Sequence, residues 1–369
     1  MKTYDVIVIG AGGVGAAAAY TLARDGRRVL ALEQYAVGHD RGSSHGHSRI
    51  FRFAYDAVDY ARLAMAALGE WRDLEVDAGL RLLHRTGGLD LGPAEQPALL
   101  EAARVLSQIQ AAHEVVDGRE LRRRWPVWNV PDDWAAIVSP DAGIVNSTQA
   151  VETLAGLARA HGAELREHTP VLALDLDTPE APQVRTAEAT YRAAHVIVAA
   201  GAWVGRLLPD LAARFTVTEE CVAYFRPKQP ERFTPENFPI FIEHASGAYG
   251  FPVFGHPGVK IGFHHDGLVV TPEQRRDLPR TEVLERLGAY LAERLPEAAG
   301  PLMLAKTCLY TNTWNEDFIL DRLPGAPNVV VASPCSGHGF KFVPLVGRIA
   351  ADLALTGASP HWRPRFALT

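Results

Sequence analysis

Val6, Ile7, Val8 and Ile9 form an unbroken apolar run within Tyr4–Ile9, the pattern of a strand buried on both faces. Gly10-Ala11-Gly12-Gly13-Val14-Gly15 follows at once. An Ala-rich stretch from Val14 to Ala23 then predicts a helix that stops near Gly26. Arg27 to Leu32 reads as a second strand, closed by Glu33. Tyr60, Ala64, Ala67, Trp71 and Leu74 recur at helical spacing and predict an amphipathic helix over 58–74. Leu82 to Leu91 alternates as a strand would, and Gln96 to Ala111 reads as a helix. Asp117 and Glu120 resemble a capping box that opens a short helix. Gly143 to Val145 is a short strand, and Asn146 caps a helix ending near Gly162. Residues 164–168, 171–176 and 183–191 read as β-structure, with turn breaks at Pro170 and Pro179. His195 to Ala200 is another buried strand, running into Gly201.

From Val217 to His264 the rhythm changes. Short runs at 221–225, 239–243, 247–253 and 259–264 are parted by turns at Ser246-Gly247 and His256-Pro257-Gly258, which predicts antiparallel pairing. A helix over 281–295, strands at 307–313, 317–321 and 328–332, and a helix over 343–355 stopped by Gly357 complete the chain. This order predicts an α/β fold: a Rossmann-type dinucleotide lobe with a second, α+β lobe. The first lobe is expected to be discontinuous, from 1–80, 140–215 and 305–369. Residues 81–139 and 216–304 would form the substrate lobe, with the antiparallel sheet as its floor.

Size and composition narrow the class. A chain of 369 residues exceeds what one core usually carries. Hydrophobic residues at 47% and charged residues at 22% make an ordinary globular balance. A net charge of −6 without a basic block argues against a nucleic-acid partner. No apolar run reaches the ~18 residues of a membrane span. A signal peptide would have to consume the first strand, so none is expected. Cys221, Cys308 and Cys335 are few and widely spaced, which suits a reducing cytoplasm. The pairs His45/His47 and His264/His265 read as solvated or substrate-facing rather than as metal ligands, and no metal is expected.

The opening stretch carries a mechanism. Strand, glycine turn, helix, strand and acid together make a dinucleotide fingerprint. Gly10 permits the tight turn, Gly12 admits the pyrophosphate, and Gly15 lets the helix pack on the strand. The turn's Gly13 and Val14 open the helix, whose oriented N–H groups favour an anion. Glu33 would accept from the ribose hydroxyls and disfavour a 2′-phosphate. NAD and FAD both stay open at this point.

Later motifs narrow the choice. Gly42-Ser43-Ser44-His45-Gly46 with Arg49 and Arg52, Tyr249-Gly250-Phe251-Pro252, Lys260 with His264, Cys308 with Tyr310, and Ser336-Gly337-His338-Gly339-Phe340-Lys341-Phe342 occur in one order. Over nearly its whole length the chain resembles the monomeric sarcosine oxidase and N-methyltryptophan oxidase family of flavoproteins. That resemblance implies FAD, held covalently through Cys308, with Ser43, Ser44, Val171, Gly201, Gly339 and Phe340 among its contacts. It implies that Arg52 and Lys341 bind a substrate carboxylate, with Tyr249, Tyr310 and Gly337 lining the pocket and His264 beside them. His45 and Arg49 would lie close to the flavin ring, where a cation favours the anionic reduced form. Lys260 matches the family's oxygen-activating lysine. The implied reaction oxidises a small secondary amino acid, N-methyl or cyclic, to an imine and reduces O2 to hydrogen peroxide. The family tends to be monomeric. Rival readings are a flavin dehydrogenase that passes electrons to a carrier, a non-catalytic flavin redox sensor, and an NAD dehydrogenase. His47-Ser48, where the family often has Asp-Thr, Phe53, where His is common, and Ser333-Pro334-Cys335 depart from the pattern and touch the pocket rim.

Overall fold

The computed structural model describes residues 3–176 and 181–368. The first strand, Thr3–Ile9, runs parallel to Val29–Leu32 on one side and to Thr190–Val198 on the other. Glu164–Arg166 extends this sheet in parallel beyond Val29–Leu32, and Ala326–Ser333 pairs in parallel with Thr190–Val198. An antiparallel margin of Val171–Asp175, Gln183–Thr186 and Ile319–Leu323 completes eight strands. Helix Gly13–Arg24 packs against both Ser147–Ala160 and Val343–Thr356 beside this sheet. Their approach is close because small residues meet: a Cβ on Gly347 would lie 2.5 Å from that of Ala17.

The second sheet has nine strands, in the order Leu268–Val269, Thr216–Phe225, Val259–Phe263, Ala248–Phe251, Ile240–Glu243, Gly88–Pro93, Trp134–Ser139 and Glu114–Asp117, with Leu302–Asn312 also paired to Thr216–Phe225. Helix Thr281–Arg294 packs against it through Val283, Leu287 and Leu291. A small third sheet of Arg49–Phe51, Gly143–Val145 and Leu83–Arg85 carries the arginine loop.

Several sequence expectations change here. The single strand read over Leu82 to Leu91 is two strands in two sheets, because Gly87 turns the chain at φ +70°. Strand Leu302–Asn312, partly grouped by the sequence with residues 305–369, pairs along its length with Thr216–Phe225 in the second sheet. The predicted antiparallel sheet contains one parallel join, Ile240–Glu243 on Gly88–Leu91. Strands Glu114–Asp117 and Trp134–Ser139 join the same sheet and carried no clear period-two signal. The run read as 183–191 is a hairpin, so the central strand starts at Thr190 rather than His195.

The caps are mixed. Asn146 accepts from Gln149 N at 3.3 Å, as predicted. Asp117 accepts from Glu120 N at 2.7 Å, but the Glu120 carboxylate bonds Arg123 and Arg124, so the reciprocal half of the capping box is missing. The turn read at Pro179 lies outside the described residues. No helix among the described residues is long and apolar enough to cross a membrane.

Candidate active site

One cavity of about 500 Å³ runs from the glycine turn to the second sheet. At its first end the backbone does the binding. Gly10 sits at φ +91°, and a Cβ there would lie 2.5 Å from Ala199 O, so no side chain fits. Gly15 lies outside the lining: its Cβ would come within 1.8 Å of Gly10 O, which makes it the packing residue between helix and strand. Helix Gly13–Arg24 starts with N–H groups that its own first residues do not cap. Gly13 N donates to Ser44 Oγ at 3.1 Å, and Ala11 N donates to Glu33 Oε2 at 2.7 Å. The other Glu33 oxygen accepts from Tyr35 N at 3.0 Å. Gly12, Gly13, Val14, Glu33, Ser43, Val171 and Gly201 all line this end or the adjoining wall.

Arg49 marks the middle of the cavity. Its Nη1 donates to Ser48 O at 2.9 Å and its Nη2 to Ser43 O at 2.8 Å, so the guanidinium braces its own loop. Its carbon lies 5.9 Å from the Phe340 ring centroid. His45 is buried, and its Nε2 has no hydrogen-bond partner among the described residues. Burial, reinforced by Arg49, Arg275 and Lys260, pushes its pKa down to about 3. The cation expected from the His45/Arg49 pair is therefore supplied by Arg49 alone.

Lys260 projects from Val259–Phe263 into the same space and is only 4% exposed, so it is no surface residue. Its Nζ donates to Ser48 O at 3.0 Å and to Ser48 Oγ at 3.1 Å, and lies 4.6 Å from the Phe251 ring centroid. Burial holds its pKa well below the usual lysine value, and Arg49 lowers it further. The Cys308 and Cys335 thiols both line the cavity, and burial raises both. Cys308 faces Glu220 across the strand pair.

The far end holds two cations around one phenol. Lys341 Nζ donates to Tyr55 Oη at 2.8 Å and to His338 O at 2.7 Å. The Arg52 guanidinium carbon stands 5.0 Å from the Tyr55 ring centroid, and Lys341 Nζ stands 5.2 Å from it. Burial, then Arg52, lowers the Lys341 pKa far below its ordinary value. Tyr249 and Tyr310 share a hydrogen bond, and burial raises both phenols, so they stay protonated. His264 lies against His265, with ring centroids 4.0 Å apart, and burial pushes its pKa down to about 3. Gly337, at φ +76°, makes this wall possible: a Cβ there would meet Tyr310 at 2.3 Å and His264 at 2.6 Å. Gly339 likewise cannot carry a Cβ, which would fall 1.5 Å from Pro334 O.

Sequence reasoning missed three members of this end. Tyr55 was not singled out. Asp90 bonds Arg52 at 3.0 Å and His244 at 2.9 Å, and neither Asp90 nor His244 was singled out. The available signal was a lone acid between two leucines, Leu89-Asp90-Leu91, on a buried strand.

The lining fits a dinucleotide cofactor by its own chemistry. An anion-binding helix start and a ribose-side acid occupy one end. Among the described residues, its chain neighbours apart, Ser44 Oγ, at 3.4 Å, is the one heavy atom within 4 Å of the point where a Gly12 Cβ would stand. An unpartnered His45 nitrogen, the Arg49 cation and a wall thiol lie farther along.

Comparison with known proteins agrees. A family described as DAO, FAD dependent oxidoreductase, matches residues 5–353. The monomeric sarcosine oxidase of Streptomyces avermitilis is 38% identical over 367 residues, covering 97% of this chain and 95% of that protein. The N-methyl-L-tryptophan oxidase of Salmonella agona is 36% identical over 369 residues, covering 97% and 96%. Among solved structures, the open form of NikD, an unusual amino acid oxidase essential for nikkomycin biosynthesis, superposes with a TM-score of 0.87 at 28% identity, covering 100% of this chain and 98% of that one.

Proposed function

The chain belongs to the FAD-dependent oxidoreductase (DAO) family, and from that premise we propose that it oxidises a secondary amino acid, N-methyl or cyclic, to an imine and passes the electrons to O2 as hydrogen peroxide. The observation that carries this reading is the set of cations, half-buried Arg52 with buried Lys341 and, apart from them, buried Lys260, on the wall of the cavity that begins at the glycine turn. Bound FAD supplies the two-electron acceptor. Glu33 and the first N–H groups of helix Gly13–Arg24 would hold its adenosine and pyrophosphate, and Cys308 would tether its other end.

Arg52 and Lys341 would grip the substrate carboxylate, the guanidinium by directed donors and the ammonium as a point charge. Their positive field, with neutral His264 and the protonated Tyr249 and Tyr310, disfavours an ammonium and so favours the neutral amine. A neutral amine is the competent form, because its lone pair must become the imine bond. The aromatic wall excludes water from that step. Lys260 keeps a fixed donor where oxygen takes up charge, which lowers the cost of the first electron. This favours an oxidase over a dehydrogenase. The free thiols support a reducing cytoplasm as the site of action, and the relatives' names support action as a monomer.

The test is direct. Purified protein should be yellow, its flavin should stay with the acid-precipitated protein, and Cys308→Ser should move that flavin to the supernatant. Sarcosine, larger N-methyl amino acids and cyclic imino acids should release peroxide in step with amine consumed. Flavin wholly in the wild-type supernatant refutes the tether. Dye reduction without peroxide refutes the oxidase.

A further inference from the structure

Asp90 lies on Gly88–Pro93 and is only 1% exposed. Its Oδ1 accepts from Arg52 Nη1 at 3.0 Å and also meets His244 Nε2 at 2.9 Å. Burial opposes its charge, but Arg52 and His244 outweigh burial and hold the carboxyl below its usual range. An ionised carboxylate only accepts, so His244 Nε2 carries a proton. In the neutral ring this leaves Nδ1 as an acceptor, and no described residue donates to it. His244 lines the cavity, with its side chain 15% exposed. Its backbone is pinned: its N donates to Leu91 O at 2.9 Å, and its O accepts from Gln96 Nε2 at 3.1 Å. The ring is therefore held at Nε2 and by its backbone, with Nδ1 left for a ligand, and is not a loose surface imidazole.

Charge points the same way. Arg52 and Lys341 alone would suit a dianion. Once a bound carboxylate holds Lys341 protonated, Asp90 leaves the three groups one net positive charge, matched to a single carboxylate beside a neutral amine.

We propose that Asp90 and His244 determine which substrate is taken: Asp90 orients Arg52 toward one carboxylate, and His244 accepts a hydrogen bond from a donor on the substrate's side chain. The ligand class is a secondary amino acid with one carboxylate and a hydroxyl, amide or indole N–H on its side chain. This rests on the reading of Arg52 and Lys341 as the carboxylate clamp.

Steady-state kinetics of the holoenzyme on isosteric pairs tests it: N-methylserine against N-methyl-2-aminobutyrate, and N-methylasparagine against N-methylleucine. The wild type should favour the donor-bearing member by about tenfold in kcat/KM. His244→Leu should bring that ratio close to one. His244→Gln should restore part of it, since its amide nitrogen can donate to Asp90 while its carbonyl accepts. Asp90→Asn should raise KM for both members alike, more than it lowers kcat. A wild-type ratio near one, or a ratio untouched in His244→Leu, overturns the proposal. Should His244→Leu fail to fold, the His244→Gln ratio decides in its place, and a ratio equal to the wild type's overturns the role of His244. Failure of every pair to turn over in the wild type overturns the clamp, and the role of the dyad with it.

Discussion

At the dinucleotide end of the cavity the donors are backbone N–H groups within residues 10–15, helped by one acid. Beyond it they are side chains, Arg49 and Lys260 in the middle and Arg52 and Lys341 at the far end, brought together from three distant stretches. The first end relies on partial charges that the helix already holds in place, and its one buried formal charge, Glu33, is met by the Ala11 and Tyr35 N–H groups. The part beyond it buries formal charges. Lys260 is 4% exposed and Lys341 5%, and both bond only neutral oxygens, a backbone carbonyl and a hydroxyl each. A buried ammonium without a carboxylate partner costs the fold several kcal/mol. One end is thus stable scaffold that happens to bind, and the other is a strained arrangement kept for its field.

The sharpest way to break that contrast is to remove the charge nearest the proposed oxygen step. Lys260→Met should slow reoxidation of the reduced enzyme about 10²–10³-fold, measured by stopped flow after anaerobic reduction. Reduction by substrate should suffer far less. The pH dependence has a definite sign. Because the Lys260 pKa is lowered, its proton is lost well before the usual lysine range as pH rises. The wild-type oxygen step should therefore be fastest on the acid side and fall toward alkaline pH, while the variant stays flat. His45 and His264, neutral above about 3, should add no limb near neutrality. Equal slopes in wild type and variant would remove Lys260 from this role.

The same contrast makes a prediction about stability. Burial favours the neutral amine of Lys341, so its folded pKa lies below its unfolded one. Below the lowered value the charged form is penalised in full, and between the two values the unfolded chain binds the extra proton. Stability then rises with pH through that window. Lys341→Met should stabilise the flavin-free protein at neutral pH by about 1–4 kcal/mol, seen as a higher urea midpoint. The gap to wild type should close toward the ordinary lysine pKa. A lower midpoint would mean that the bonds to Tyr55 Oη and His338 O outweigh the buried charge.

Legibility in the sequence divides along the same line. The glycine turn, its helix and its acid are contiguous, and their spacing alone carries the geometry. The centre of the eight-stranded sheet was legible because Thr3–Ile9, Val29–Leu32 and the end of Thr190–Val198 carry unbroken apolar runs, whereas Glu164–Arg166 carries none. The far end is built by strand register. Asp90 meets His244 because Gly88–Pro93 pairs with Ile240–Glu243, a parallel join that no local pattern announces. Lys260, Cys308 and Lys341 were found through a family resemblance, since nothing in an isolated Val-Lys-Ile-Gly says that the lysine points inward. The split of Leu82 to Leu91 into two sheets was missed because alternation continues across Gly87 and only its positive φ breaks the strand.

The gentlest test returns to the first end. Ser44 Oγ accepts the Gly13 N–H at 3.1 Å, so the hydroxyl and an incoming phosphate compete for that donor. If the backbone carries the anion, Ser44→Ala removes one side-chain partner and leaves every N–H in place. Its cost should be about 1 kcal/mol, less than tenfold in flavin affinity, and could even be a small gain as Gly13 N is freed. The measurement belongs in a Cys308→Ser background, where flavin fluorescence reports reversible binding that a covalent tether would hide. A loss beyond about a hundredfold would show that a side chain, not the helix start, holds the pyrophosphate. The two ends of the cavity would then work by the same means, and the division between scaffold and strained field would fail.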